Sequence, residues 1–536
     1  MTDLEIPLKK DRDFRYRLFE ILPGALSWFM LLLPFILSLI NVTLAALFVL
    51  LYLLVNFTRV FATAIRSLHG YREMRQHRSL NWRQLLEELQ AGKVTDVNAS
   101  RPKWHLDQIL RRSVKPPIVQ PDEVLHAIIV ATYNESREVL EPTIQSILRS
   151  NYDMKKVILV LAYEERGGER VAIQSKELIA QYKDQFFHAM AVGHPNNIPN
   201  EVIGKGGNVT FAGRRLKEYL EGEKIDPLRV VVTTLDSDNR PDKEYLAALS
   251  YVYVACDDPI RASFQPVSIY NNNIWDAPAP SRVLATGNSF YHLVQSLRQH
   301  SLRNFSSHAQ GMASLIETDF WSTRTIVEDG HQFWRAYFRF DGNYRVYPLH
   351  VPIYQDAVLA NTYMKTMKAQ FLQLRRWTWG ASDIAYIVSK GYFKPNKVPK
   401  RDLLVKLLRT IEGHVTWAVG PILVLVGGFI PAFFHPQSYA ANELPLLVSR
   451  IQTAALVAGL ATIFVCLKTL PPRPERYKRH RTLFMVVQWV YLPITTIVFN
   501  SFAALNSQTR LMFGRYVDKF DVTTKAVVTE KGDVVS

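Results

Sequence analysis

Two acidic pairs in this chain have spacings that could do chemistry: Asp236 and Asp238, one residue apart, and Glu328 and Asp329, adjacent. The first pair ends the run Val231-Val-Thr-Thr-Leu-Asp-Ser-Asp238. A short β-branched stretch of this kind reads as a buried parallel strand, and in open α/β sheets ligands bind beyond the carboxyl ends of such strands. Two aspartates placed there repel each other unless a cation neutralises them. Hard oxygen ligands suit Mg²⁺ or Mn²⁺, so Asp238, with Asp236 beside it, is the expected metal site, and such an ion commonly serves a phosphate. The plain alternative is a polar turn that closes a strand.

Four further groups could work on the same ligand. In Ala131-Thr-Tyr-Asn-Glu-Ser136, Thr132 and Glu135 could hold a base or ribose, or simply cap the next helix. Gly204-Lys-Gly-Gly-Asn208 opens a helix, a natural place for a phosphate or base contact with Lys205 at hand. It lacks the spacing of a Walker A loop. Val327-Glu-Asp-Gly-His331 places its two acids ahead of an aromatic-rich helix. Gln373-Leu-Arg-Arg-Trp377 sets the guanidinium of Arg376 beside the indole of Trp377, a pairing suited to a diphosphate and a sugar ring. Near a membrane the same residues could instead form an interfacial anchor.

What must position these groups is an alternation of strands and helices. Strands are predicted at 126–131, 157–162, 188–192 and 231–235, with helices at 137–149, about 170–183 and about 208–219. That order implies a mostly parallel sheet with a nucleotide-sized cleft at its strand ends. Ahead of it, residues 62–120 are basic and weakly helical. Their amphipathic pieces, 82–89 and 104–110, suit either the membrane surface or packing on the soluble domain.

The alternating region is flanked by apolar runs at 22–39, 41–57, 414–434, 445–467 and 482–505. Each approaches or exceeds the roughly 17–25 residues that cross a hydrocarbon core. The formal net charge of +16 over 536 residues gathers beside these runs, at Lys9, Lys10, Arg12, Arg15 and Arg17 and again from Lys468 to Arg481. The positive-inside rule accounts for that placement. It argues against a nucleic-acid partner and puts both ends of the soluble domain on the cytoplasmic face. Cys256 and Cys466 form neither a metal spacing nor a disulfide framework. The first run is followed at once by a second and has no small-residue cleavage site, so it reads as half of a hairpin anchor rather than a signal peptide.

The order of these motifs from about 121 to 525 resembles the membrane-embedded family 2 glycosyltransferases, the group that includes the cellulose, chitin and hyaluronan synthases. Gln265-Pro266 is similar to the Gln-x-Pro region of those enzymes, and Phe520-Asp-Val-Thr-Thr-Lys525 to the Phe-x-Val-Thr-x-Lys gating loop of bacterial cellulose synthases. The chain departs from the pattern at 162–165, which read Ala-Tyr-Glu-Glu, and at Val327 before the Glu-Asp pair. The resemblance implies an inverting, metal-dependent transfer of a sugar from a nucleoside diphosphate sugar, UDP-linked by the family's habit. The acceptor would be a polysaccharide or a lipid-linked molecule. It implies Asp329 as general base with Glu328 tuning it, Thr132, Glu135, Lys205, Asp236 and Arg376 on the donor nucleotide, and Gln373 and Trp377 on the acceptor. Phe520, Val522, Thr523 and Lys525 would close over the nucleotide.

The expected fold is therefore α/β plus transmembrane helices: a GT-A-like nucleotide-sugar domain inserted between membrane helices of a multi-pass protein of the cell membrane. Its expected parts are a basic cytoplasmic N-terminus (1–21), a transmembrane hairpin (22–61), an amphipathic connector (62–120), the transferase domain (121–380) and interface helices (381–413). A second hairpin (414–467), a basic cytoplasmic loop (468–481), a further membrane segment (482–505) and a gating-like tail (506–536) follow. Pro493 near the middle of the 482–505 run would break it, leaving four true spans, a re-entrant or interfacial fifth segment and a cytoplasmic tail. A bent fifth span with an external tail is the alternative from hydropathy alone. A single-sugar transferase to a lipid is the nearest rival function, and a nucleotide-sugar-binding membrane protein without catalysis comes from another class. A channel would place charged groups within its spans, and those here are few.

Overall fold

The computed structural model describes residues 4–95, 100–518, 525–528 and 534–535. Phe520, Val522 and Thr523 lie outside them. At its centre is an eight-stranded sheet of Leu125–Thr132 (β1), Val157–Glu164 (β2), His188–His194 (β3), Val230–Asp236 (β4), Arg240–Pro241 (β5), Ala262–Tyr270 (β6), Ala309–Gly311 (β7) and Arg345–Gln355 (β8). The strand order is β3-β2-β1-β4-β7-β6-β8-β5. β1 to β4 run parallel, as do β6 and β8, while β7 is antiparallel to both its neighbours and β5 to β8. The sheet is thus mostly parallel.

Side chains alternate faces along each strand, and both faces are covered. Ile128, Val130, Leu159, Leu161 and Val231 pack under the helices Arg137–Leu148 and Tyr245–Ala255. Ala127, Ile129, Ile158, Val160 and Val232 pack against Val209, Ala212 and Leu216 of the helix Lys205–Gly222. Burial on both sides explains why these strands read as unbroken apolar runs.

The connector belongs to this same core. Trp82, Leu85, Leu86, Leu89 and Ile109 join the cluster formed by Tyr245 to Val254, and Trp82 stacks on Trp104 with ring centroids 5.5 Å apart. Packing on the soluble domain therefore accounts for the amphipathic pieces.

Five helical segments are long and apolar enough to cross a membrane: Phe14–Ile40, Val42–Arg78, Lys400–Phe434, Tyr439–Thr469 and Arg481–Met512. Val42–Arg78 is one unbroken helix of 37 residues, about 55 Å long at 1.5 Å per residue. That exceeds a hydrocarbon core of about 30 Å, and its far end reaches the sheet domain, where Arg78 Nε donates to Asp242 at 2.8 Å. Ahead of the first helix, residues 4–6 thread into the sheet domain. Ile6 is buried, the Leu4 carbonyl accepts from the Tyr386 hydroxyl at 2.8 Å, and Glu5 pairs with Arg335 at 2.7 Å.

The fifth segment is one bent helical path rather than two separate halves. A 3-10 turn at Gln488–Tyr491 precedes Pro493 and a π turn at Thr496–Ser501 follows it. Proline donates no backbone N–H and pushes the carbonyl four residues back, so the chain tightens before it and widens after it. Arg481 donates to the Trp275 carbonyl at 3.0 Å. At the other end Arg17, in the first turn of Phe14–Ile40, donates to the Leu511 and Met512 carbonyls at 3.3 and 3.2 Å. Both ends of the segment therefore touch groups on the sheet-domain side.

Candidate active site

The carboxyl ends of the central strands lie side by side. Thr132 pairs in register with Tyr163, Ala131 with Asp236, and Glu164 with His194. Beyond them opens a cavity of about 1500 Å³, lined among others by Thr132, Glu135, Lys205, Asp236, Asp238, Glu328, Asp329, Gln373, Arg376, Trp377 and Lys525. Every described residue named from the sequence as a candidate thus faces one space. The helix Lys205–Gly222 starts at Lys205, and Glu328–Arg339 starts at Glu328, so the acidic pair forms a helix's first turn instead of preceding it. Gly206 lets these two helix ends approach: a Cβ there would stand 2.4 Å from the Ser322 carbonyl oxygen and 3.2 Å from Glu328 Cβ.

Lys205 sits between the two acidic pairs. Its buried ammonium lies 2.9 Å from Asp236 Oδ1, 3.5 Å from Asp329 Oδ2 and 4.0 Å from Glu328 Oε1. Burial alone would lower its pKa, but the three carboxylates outweigh that and hold it well above the usual lysine range. Asp236 shows the reciprocal effect. Burial pushes it up, while Lys205 and Lys525 and a 2.9 Å hydrogen bond from Ser306 Oγ bring it well below the usual aspartate range. Glu328 goes the other way: burial and the negative charge of Asp329 raise it to about 8. It therefore takes up a proton more readily than an ordinary carboxylate, which suits a group that tunes its neighbour.

Lys525 reaches this site from the far end of the chain. Its ammonium is 2.6 Å from Asp238 Oδ1 and 2.8 Å from Ser237 Oγ, and the Ala526 N–H donates to the Leu359 carbonyl at 3.1 Å. Glu135 is engaged within its own turn, accepting from Thr132 Oγ1 and the Tyr133 N–H, both at 2.8 Å. Burial raises its pKa, but Lys525 and that N–H leave it below the ordinary range. Gln373 Oε1 accepts from Gln370 Nε2 at 3.2 Å. Trp377 is half-buried at the junction with the apolar helices, its ring 6.2 Å from that of Tyr270.

Several residues in the site carried no sequence signal. The Asp356 N–H donates to Asp238 Oδ2 at 3.0 Å, and burial and the charge of Asp238 push the Asp356 carboxyl up to about 7. His308 Nδ1 stands 3.8 Å from Asp329 Oδ1. The Arg166 guanidinium lies 4.2 Å from the Tyr133 ring centroid, at the departing end of β2. No spacing rule joins these positions to the acidic pairs; only the β1/β2 sequence ends hint at the last.

The oxygen-only donor set of Asp236 and Asp238 fits a hard divalent cation. So does the buried Asp356 Oδ1, which has no hydrogen-bond partner. Among the described residues no group of three or more His, Cys, Asp or Glu is already arranged as a metal site, and the Lys525 ammonium now holds Asp238.

No protein-family model matches the chain, and no curated protein matches it. Among solved structures, the chain is similar to mannosyltransferase PcManGT from Pyrobaculum calidifontis, solved in complex with GDP-Man and Mn²⁺. That likeness has 16% identity and a TM-score of 0.40, covering 82% of this chain and 98% of that one. It is also similar to S. aureus TarS 1–349 in complex with UDP-GlcNAc, at 11% identity and a TM-score of 0.36, over 76% of this chain and 95% of that one. A third likeness is to GalNAc-T7 with UDP, GalNAc and Mn²⁺, at 10% identity and a TM-score of 0.33, over 55% and 58% of the two chains.

Proposed function

We propose that this protein is a membrane-bound inverting glycosyltransferase that moves a sugar from a nucleoside diphosphate sugar to a glycan or lipid-linked acceptor. The observation that carries the reading is Lys205, a buried cation within 4.0 Å of both acidic pairs at the strand ends of a parallel sheet. That arrangement supports reading the cluster as a charge-balanced donor pocket beside a candidate base.

In this mechanism the acceptor hydroxyl attacks the anomeric carbon, and Asp329 takes its proton. The bond from that carbon to the diphosphate oxygen breaks, and its electron pair leaves with the diphosphate. Arg376 and Lys205 meet the charge that develops there. Glu328, its pKa raised by burial and by Asp329, limits the negative charge beside the base. Trp377 offers the acceptor sugar an apolar face, and Gln373, one helical turn before it, a hydrogen-bonding amide. Thr132 and Glu135, which line the same cavity, are the residues this reading assigns to the base and ribose. Asp238, with Asp236, would hold a Mg²⁺ or Mn²⁺ ion, which supplies positive charge to the leaving diphosphate when bound. Lys525, which pairs with Asp238, is the tail residue this reading assigns to closing over the nucleotide.

The same reading takes four of the apolar segments as true spans and the fifth as interfacial, with the tail on the catalytic, cytoplasmic side. The return of both ends of Arg481–Met512 to that side supports it, as does Lys525 on Asp238.

The test is incubation of purified protein with a panel of labelled sugar nucleotides, with and without Mn²⁺, following release of the nucleoside diphosphate. Mn²⁺-dependent release from one of them is expected. Binding without release across the panel would favour a binding protein instead.

A further inference from the structure

The cavity continues past Trp377, along the loop 297–308, to the first half of the helix Lys400–Val426. Arg298, Arg303, Lys406 and Arg409 line it there. Arg303 is fixed on one side, donating to Thr410 Oγ1 at 2.7 Å and lying 4.6 Å from the Trp334 ring centroid. The carboxylates nearby are engaged: Asp402 accepts from the Tyr337 hydroxyl at 2.6 Å and pairs with Lys406, and Glu412 pairs with Arg59 at 2.6 Å. Among the described residues Arg298 and Arg409 carry no ion pair. Partial burial and the positive charges of Arg409, Arg298 and Lys406 depress the pKa of His300 beside them. Cations gathered on one cavity wall repel each other until an anion joins them.

The position of this arm narrows the anion. The helix Lys400–Val426 opens with charged residues, but no Asp, Glu, Lys or Arg follows Glu412 as far as Val426. The arginines therefore stand just before an apolar stretch of membrane-crossing length. Trp417 and Leu492 wall the same cavity beyond them. In the other direction Arg303 is three residues from Ser306, so their Cα atoms are at most about 11 Å apart, and Ser306 bonds Asp236 at 2.9 Å. A ligand could rest an anionic group on the arginines and still present a hydroxyl to the acidic cluster.

We propose that this arm binds the phosphate group of a lipid-borne acceptor, with Arg298, Arg303 and Arg409 on the phosphate oxygens and the lipid chain passing Trp417 and Leu492. Guanidinium groups suit phosphate because their N–H groups pair with its oxygens in parallel. The proposal names the acceptor class of the transfer reading and rests on it for the lipid's use, though not for its binding.

The test titrates full-length protein in uncharged detergent with dodecyl phosphate and, separately, with inorganic phosphate, reading binding by calorimetry. Saturable binding of dodecyl phosphate is expected. It should weaken by at least about tenfold in R298Q/R409Q, since each charged hydrogen bond is worth that much or more, and survive in R298K/R409K. Unchanged binding in R298Q/R409Q would overturn the proposal. Inorganic phosphate binding as tightly as dodecyl phosphate would overturn it too, because the site would then serve a free anion. Dodecyl phosphate bound through these arginines by a protein that releases no nucleoside diphosphate from any sugar nucleotide would refute the transfer reading and leave this site standing. Nucleoside diphosphate release without any dodecyl phosphate binding would do the reverse.

Discussion

Replacing Lys205 with methionine keeps most of the side chain's volume and removes the charge that balances the acidic cluster. At an effective dielectric of about 20, unit charges at the observed 2.9 and 3.5 Å attract by about 6 and 5 kcal/mol. Much of that offsets the cost of burying the ammonium, so the net loss expected from breaking the buried pair is about 3–5 kcal/mol. The sign with pH follows from Asp236. Its pKa in the folded protein is depressed, so its contribution to stability is present above the unfolded aspartate value of about 3.9 and lost as pH falls through the lower folded value. K205M should therefore melt well below the wild type at pH 7, and the gap should narrow as pH falls below about 4. Adding D236N to K205M should recover part of the loss, because one uncompensated charge is gone. Thermal unfolding of the three proteins in detergent, at neutral and acid pH, measures this. A K205M protein that melts with the wild type at pH 7, or a double variant less stable than K205M, would show that Lys205 does not balance the cluster.

Three further outcomes are expected. D329N should retain nucleotide binding and lose about 10²–10⁴-fold in turnover; more than half the wild-type rate would remove Asp329 as the base. R376A should lower donor turnover with both acceptor and water, whereas W377A should impair mainly acceptor transfer, since a guanidinium pairs with phosphate and an indole with a sugar face. Equal loss of donor hydrolysis in the two would contradict that division. A cysteine at Ser536 should resist a membrane-impermeant thiol reagent applied outside intact cells, and labelling from outside would place the tail on the opposite face.

The sheet and the apolar runs were readable because their physics is local. Strands covered on both faces become continuous apolar runs, as at Val157–Glu164. A helix start needs few residues to announce it, as at Gly204-Lys205. The acidic pairs and Lys205 were readable as chemistry, but their mutual distances were not, since nothing in the spacing of positions 205, 236 and 328 says that one ammonium meets all three carboxylates. Asp356 and His308 were missed for the same reason: each is an ordinary residue at a strand end until the fold sets it beside Asp238 or Asp329. The fifth apolar run shows the limit most clearly. Pro493 announced a disruption, yet whether the helix splits or bends depends on how its ends are held, and Arg17 and Trp275 are hundreds of residues away.

The docking of residues 4–6 also has a consequence for how the protein is made. Their seat is built by Arg324, Arg335 and Tyr386, which bond Ile6, Glu5 and Leu4 across sequence separations of 318, 330 and 382 residues. Residues 4–6 are made long before their seat and have nowhere to settle until most of the chain has followed. Meanwhile the two helices directly behind them are ready to enter the bilayer. Residues 4–6 must therefore wait, unburied, until the sheet domain closes, so their docking is one of the last steps in folding. A chain without residues 4–6 would leave Arg324, Arg335 and Tyr386 without these partners.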